Sequence, residues 1–213
     1  MQLIDEDIWE YICEHSSKEE KLLSELRRET EIKCLNPIML SSVFQGNLLS
    51  IISKIKNPRK ILEIGTYSGY STLCLADGLS DDGQIHTIDK NEELLHIQNK
   101  YFDKSIHQKK IIQHTGNALN IIPNLNLKFD IVFIDADKEN YSEYLKMILP
   151  NMNKGAVLIT DNILWHGKVV NQDKEMDYKT RKIAEFNKNL ANESSLKSII
   201  IPIRDGISIA VKL

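Results

Sequence analysis

Cysteine is scarce in this chain: Cys13, Cys34 and Cys74 are the only three in 213 residues, an odd number without C-x-x-C spacing. That excludes a disulfide framework and a thiolate zinc site, and it points to a reducing cytoplasm. Long apolar runs are missing too, with none near the roughly 20 residues that cross a bilayer, so no membrane partner is expected. The start, Met1-Gln-Leu-Ile-Asp-Glu-Asp7, has no basic segment ahead of an apolar one, and no secretory signal is expected. Arginine supplies only five of the 27 basic residues, and the formal net charge is −3. A strongly basic nucleic-acid face is therefore not evident, although a local patch is still open. What is present, 42% hydrophobic and 27% charged residues, is the composition of an ordinary globular chain. At this length a single domain over residues 1–213 is expected.

The charge is unevenly placed. Residues 1–50 carry ten acidic against five basic side chains, while the remainder carries 20 against 22. The front is helical in pattern, with Ile8, Tyr11 and Ile12 in one short stripe and Leu22, Leu23 and Leu26 in another. Asn36-Pro37 breaks it, a further helix is predicted from Met39 to Ile55, and Asn57-Pro58 ends that helix. Residues 1–56 thus read as a helical leader and 57–213 as the core.

From Lys60 onward strands and helices alternate. Strands are predicted at Lys60–Ile64, Gln84–Ile88, Ile111–His114, Phe129–Ile134 and Ala156–Thr160, with helices at Tyr70–Leu79, Glu92–Phe102, Ala118–Ile122 and Tyr141–Leu149. Such alternation implies right-handed crossovers and a parallel sheet with helices on both faces. The ending departs from it. After a helix near Thr180–Leu190, two β-rich runs, Ser198–Ile203 and Ile207–Val211, are joined only by Arg204-Asp205-Gly206. A link that short makes a hairpin and not a crossover, so the last strand should be antiparallel.

Three motifs carry chemistry. Ile61-Leu-Glu63-Ile-Gly65-Thr-Tyr-Ser-Gly69-Tyr-Ser71 runs from a strand into a helix, where glycines let the backbone approach a ligand. Asp89 follows 24 residues after Gly65, at the end of the next strand, placed to accept from ribose hydroxyls. Together they read as a Rossmann-like site for a nucleoside-containing cofactor. The glycine spacing is not the G-x-G-x-x-G of dinucleotide sites, and the acid Glu63 suits a ligand with an ammonium group. The second motif, Phe129-Asp130-Ile-Val-Phe-Ile-Asp135-Ala-Asp137-Lys138-Glu139-Asn140-Tyr141, and the third, Leu158-Ile-Thr-Asp161-Asn162-Ile-Leu-Trp165-His-Gly167, put acids at the ends of two strands. Asp135, Asp161 and Asn162 are all oxygen donors, a set for a hard cation such as Mg²⁺, with Mn²⁺ and Ca²⁺ also compatible. Asp135 alone reads equally as a helix cap, Asp161-Asn162 alone as a turn, and Lys138 alone as an exposed helix start.

In combination these motifs resemble those of the class I S-adenosylmethionine-dependent O-methyltransferases of the cation-dependent catechol and caffeoyl-CoA type, in their small bacterial form. The resemblance runs from about Met39 to the C-terminus. It implies a seven-stranded, mostly parallel Rossmann-like sheet with an antiparallel last strand, a homodimer, and methyl transfer from S-adenosylmethionine to a hydroxyl of a catechol-like phenolic acceptor. By position it assigns Glu63, Gly65 and Ser71 to the cofactor, Asp89 to its ribose and Ala118 to its adenine side. Met39 and Ser41 fall where the leader closes over the cofactor. Asp135 is implied as metal ligand and cofactor contact, Asp161 and Asn162 as the other ligands, Lys138 as general base and Trp165 as the aromatic beside the acceptor. A Lys in that role needs a depressed pKa. Three positions depart from the pattern: Gln45, where a charged residue is common; Asp137, in place of an aromatic; and Arg204, where the hairpin usually has Gly.

Two other activities compete. A tRNA hydroxyuridine O-methyltransferase would use Lys54-Ile-Lys-Asn-Pro-Arg59-Lys60 and Gln108-Lys109-Lys110 on phosphates. An NAD(P)-dependent oxidoreductase would use the Tyr178-x-x-x-Lys182 pair, whose charged setting reads more simply as a solvated helix start.

Overall fold

The computed structural model describes residues 5–171 and 176–213. The chain packs as two compact units, one over Ile4–Ala118 and the other over Leu119–Leu213. The division falls after Ala118.

The first unit opens with helices α1 (Glu6–Glu14), α2 (Lys21–Lys33) and α3 (Val43–Lys56). Asp5 caps α1 by accepting from the Asp7 N–H at 3.0 Å, as expected of an acid ahead of a helix. The stripe predicted on α1 reaches no core, since no α1 residue is buried and Ile8 and Tyr11 are exposed. Of the stripe on α2, Leu26 is buried while Leu22 and Leu23 are half-buried, and Thr30, outside the stripe, is buried too. The stretch Pro37–Lys56 is apolar and long enough by composition to cross a membrane, which inspection of apolar runs alone did not bring out. It is broken after Met39, however, and α3 itself has 14 residues. At 1.5 Å per residue that is about 21 Å, short of a bilayer core.

Strand β1 (Lys60–Ile64), helix α4 (Tyr70–Ala76), strand β2 (Gln84–Asp89), helix α5 (Leu95–Lys104) and strand β3 (Ile111–Thr115) follow. β1 pairs β2 and β2 pairs β3, both in parallel. Glu29 of α2 ties the leader to this part. Its carboxylate accepts from Lys33 at 2.8 Å, from Tyr101 Oη at 2.8 Å and from Lys100, which with Tyr101 belongs to α5. These bonds, Lys100 foremost, hold its pKa down to about 2. A carboxyl depressed on folding stabilises the native state above its unfolded pKa and loses that contribution as pH falls through the folded value. The melting-temperature gap between the wild type and Glu29→Gln is therefore expected to be full at pH 6 and to shrink as pH falls from about 4.5 toward 2. A gap independent of pH would refute this.

The second unit follows helix α6 (Ala118–Leu125) with β4 (Phe129–Ile134), α7 (Tyr141–Ile148), β5 (Met152–Asp161), α8 (Tyr178–Asn192), β6 (Leu196–Ile201) and β7 (Ile207–Lys212). Ile131, Val132, Phe133 and Ile134 are all inaccessible, as a continuous apolar run flanked by helices should be. On α7 the residues buried are Tyr141, Ser142, Tyr144, Leu145 and Ile148. Tyr141 meets Phe186 of α8 edge to face, with ring centres 5.4 Å apart. β4 and β5 pair in parallel, whereas β7 is antiparallel to both β5 and β6, as the short hairpin link required. The strand order is β3-β2-β1-β4-β5-β7-β6 in one seven-stranded sheet.

Candidate active site

In the first unit the chain leaves β1 through Gly65 and Tyr67, at φ 101° and 49°, and enters α4 after Gly69 at φ 92°. A side chain on Gly69 would put Cβ 2.5 Å from the Phe102 ring, so both backbone shape and packing require glycine there. Asp89 organises this turn. Its Oδ2 accepts from the N–H of Thr66 at 3.0 Å and of Tyr67 at 2.8 Å, and its Oδ1 accepts from Asn91 N at 2.9 Å. Its main-chain carbonyl accepts from Gly116 N at 2.8 Å, which brings the approach to Ala118 beside the turn.

Glu63 is enclosed by hydroxyl donors. It is inaccessible, and its carboxylate accepts from Ser71 Oγ at 2.6 Å, Thr87 Oγ1 at 2.6 Å and Thr72 Oγ1. A buried carboxylate needs such donors. Ser68 Oγ, within the same turn, is buried and finds no partner. Ser41 is buried and Met39 exposed, and the leader's end is linked to the turn by Tyr67 Oη donating to Asn36 O at 2.9 Å. Desolvation pushes the Tyr67 phenol up to about 12, so it stays a donor. Gln45 is inaccessible, inside the first unit.

In the second unit the parallel register pairs Ile134 with Thr160, so the next residues, Asp135 and Asp161, stand side by side at the strand ends. Lys138 Nζ donates to Asp135 Oδ1 at 2.8 Å. Its side chain is only 12% exposed, which sets aside the solvated-lysine alternative. The cap alternative for Asp135 is not realised either, because Asp137 occupies the cap position of the turn Lys138–Asn140. Asp161 is 4% exposed; its Oδ1 accepts from Asn162 N at 2.7 Å, holding Asn162 at φ 58°. Asn tolerates that left-handed backbone better than most residues.

Tyr141 completes the cluster. Its hydroxyl donates to the Asp161 carbonyl at 3.1 Å, and Lys138 Nζ lies 5.1 Å from its ring centre. Burial pushes the Tyr141 pKa up. Burial also opposes the charge on Lys138, but Tyr141 and the Asp135 carboxylate outweigh it and the Lys138 pKa is raised. The depressed value expected from the sequence is thus not what this geometry produces, because a carboxylate sits 2.8 Å from Nζ.

Among the described residues no three His, Cys, Asp or Glu side chains gather as metal ligands. The candidate set is two carboxylates and one amide, Asp135, Asp161 and Asn162, all hard oxygen donors that fit a cation completed by waters or substrate oxygens. Asp137 has a structural task instead, accepting from Tyr144 Oη at 2.6 Å and from Asn140 Nδ2. Sequence reasoning missed the bond between Asp137 and Tyr144 and the contact of Tyr141 with Lys138, although Asp137 and Tyr141 stand in the quoted motif and Tyr141 and Tyr144 are buried on α7.

After Asn162 the loop carries Trp165, half-buried at φ 47°, and His166 at φ 56°. Two consecutive non-glycine residues in that region cost roughly 1–2 kcal/mol each, so neighbours must hold them. Arg204 adopts φ 51° in the hairpin, the conformation for which Gly is the unstrained choice.

Several of the residues that the competing activities would use are engaged within the protein. Lys54 pairs with Asp77 at 2.7 Å and Arg59 with Asp82 at 3.1 Å. Lys60 donates to Gln84, and Lys110 donates to the Ser80 carbonyl at 2.8 Å, so these cations already have partners within the protein. Lys182 pairs with Glu185 at 3.1 Å on the first turns of α8, beside an exposed Tyr178.

A glycine turn organised by an acid at the next strand end, on a sheet of this order closed by an antiparallel strand, defines a Rossmann-like methyltransferase. The comparisons with known proteins agree. Residues 13–213 match the profile of the O-methyltransferase family. Caffeoyl-CoA O-methyltransferase 1 of Arabidopsis thaliana is 32% identical over 99% of this chain and 86% of its own length. The O-methyltransferase from Bacillus cereus, solved in complex with SAH, superposes with a TM-score of 0.89 at 28% identity over 97% of both chains. TomG from Streptomyces achromogenes, an O-methyltransferase involved in tomaymycin synthesis and solved with SAM, reaches 0.89 at 29% identity over 99% of both. The chain belongs to the O-methyltransferase family and is an enzyme of that class.

Proposed function

We propose that this enzyme transfers the methyl group of S-adenosylmethionine to one hydroxyl of a catechol-like acceptor and uses a divalent cation to do so. The observation that carries the reading is that Asp135 and Asp161 directly follow the paired residues Ile134 and Thr160 of neighbouring strands, with Lys138 donating to Asp135. The complexes of the Bacillus cereus and Streptomyces achromogenes enzymes with SAH and SAM, and the caffeoyl-CoA specificity in the name of the Arabidopsis relative, support it.

In this reading Gly65, Ser71 and the leader residues Met39 and Ser41 hold the cofactor. Asp89 takes its ribose while keeping the turn in shape, and Ala118 borders its adenine. Glu63 acts through Ser71, whose hydroxyl it orients at 2.6 Å. Asp135, Asp161 and Asn162 hold the cation, Mg²⁺ being the best match to an all-oxygen set. The cation supplies the charge that lowers the pKa of an acceptor hydroxyl and orients its oxygen. With Asp135 engaged as a ligand, Lys138 loses the ion pair that keeps it charged but stays buried. Burial alone lowers an ammonium pKa, so Nζ becomes able to take the hydroxyl proton. The phenolate oxygen then displaces S-adenosylhomocysteine from the methyl in line, and the protein contributes position and electrostatics. Trp165 flanks the acceptor ring.

The test is chelation. EDTA is expected to abolish methylation of caffeoyl-CoA or catechol, and Mg²⁺ in excess to restore it. Full turnover by the chelated enzyme would remove the cation from the proposal.

A further inference from the structure

The acceptor loop does not hold its own shape. Trp165, His166 and Gly167 are three consecutive left-handed residues, at φ 47°, 56° and 78°, and Asn162 before them is a fourth. L-residues leave that region unless something outside the segment holds them. The partner is the turn between β6 and β7. Ile163 N donates to the Gly206 carbonyl at 3.1 Å and Leu164 N to the Asp205 carbonyl at 2.8 Å. His166 N donates to Asp205 Oδ1 at 2.5 Å, and that side chain is 12% exposed. Gly206 is at φ 84°, and a Cβ there would fall 2.4 Å from Leu164 Cγ, so the turn and the loop are in close contact. From the other side Asn187 of α8 donates to the Ile163 carbonyl at 2.7 Å. Within this turn only Asp205 offers a side-chain acceptor to the strained part of the loop, and it meets the N–H that directly follows Trp165.

We propose that Asp205 and Gly206 form a latch that fixes the Trp165–Gly167 loop, making Asp205 a positioning residue that sets which acceptors the enzyme prefers. The sequence assigned Asp205-Gly206 only to turning the hairpin. A turn needs no side-chain bond to a loop 39 positions away. With the latch closed, the indole of Trp165 is presented in one orientation at no further ordering cost on binding. The consequence for acceptors rests on the function proposed above; the latch itself does not.

Two readouts test it. In a Trp9→Phe background Trp165 is the sole tryptophan, and acrylamide quenching of its fluorescence reports the loop without any acceptor. Asp205→Ala is expected to raise the quenching constant at least about twofold, as a loop released into faster local motion should. Asp205→Asn, whose amide oxygen still accepts from His166 N–H, should stay near the wild type. Gly206→Ala keeps the carboxylate but crowds Leu164, and should change quenching in the same direction as Asp205→Ala. The kcat/KM ratio between caffeoyl-CoA and free catechol should shift in Asp205→Ala by about fivefold or more through KM, with the dissociation constant of S-adenosylhomocysteine unchanged. Unaltered quenching in Asp205→Ala and Gly206→Ala, or an Asp205→Asn as impaired as the alanine variant, overturns the latch. If the wild type methylates neither probe, the catechol reading fails while the quenching result still decides on the latch.

Discussion

Replacing Asp161 by Ala is expected to lower methyl transfer by about 100-fold or more, with S-adenosylhomocysteine binding retained. The size follows from two losses at one residue. The carboxylate is one of two acids at the neighbouring strand ends, so its removal takes away half of the anionic charge available to a cation. Its Oδ1 also accepts from Asn162 N at 2.7 Å, and without it the left-handed Asn162 loses the bond that keeps its amide in place. Asp161→Asn separates the two effects, since an amide oxygen still accepts from that N–H but carries no charge. It should keep the loop's shape and lose activity nearly as far. Titration of Mn²⁺ followed by electron paramagnetic resonance gives a readout independent of turnover. An alanine variant within tenfold of the wild type in kcat would count against the metal assignment.

Lys138→Ala is expected to reduce kcat by about 10²–10⁴-fold, the usual contribution of a positioned base, at nearly constant cofactor affinity. Lys138→Arg is the sharper test. A guanidinium can keep the ion pair with Asp135, but it never gives up its proton near neutrality. If Lys138 only supplied positive charge to the Asp135 carboxylate 2.8 Å away, the arginine variant would approach wild-type turnover. If it takes the proton, the arginine variant falls with the alanine one. The pH profile adds a third check: Lys138 has to be neutral to take the proton, so the rate of the wild type should rise with pH on its acid limb, and that dependence should vanish in both variants.

Much of this architecture was legible beforehand, and the parts that were not share a cause. β1 and β4 lie where the periodicity put them, because a buried parallel strand is a short apolar run between turn residues. β5 starts at Met152, four residues before the Ala156 expected, since Met152-Asn-Lys-Gly155 has no alternation and joins the sheet only through pairing with Phe129. α4 ends at Ala76 instead of Leu79. The stripe on α1 was read correctly as amphipathic and yet is not buried, because periodicity describes a face and not what lies opposite it.

The site divides in the same way. Asp135, Asp161 and Asn162 could be nominated because oxygen donors at two strand ends suit a hard cation, and Lys138 because the family resemblance implies its role. The partners of those residues could not. That Glu63 lies beneath three hydroxyls, that Asp89 holds the glycine turn through two amide protons, that Tyr141 bridges to the end of β5 and that Asp205 reaches back to His166 are all facts about residues eight to 39 positions apart.

By itself the sequence determined the alternation of strands and helices, the antiparallel ending and the identity of the chemical groups, since these depend on local spacing and on a link too short for a crossover. Only the tertiary structure decided which of those groups are buried, what each one hydrogen-bonds, and therefore the charge Lys138 carries and the shape of the Trp165 loop. Burial and pairing are set by atoms brought together from distant parts of the chain, and proton affinity and backbone strain depend on those neighbours more than on the residue's own type.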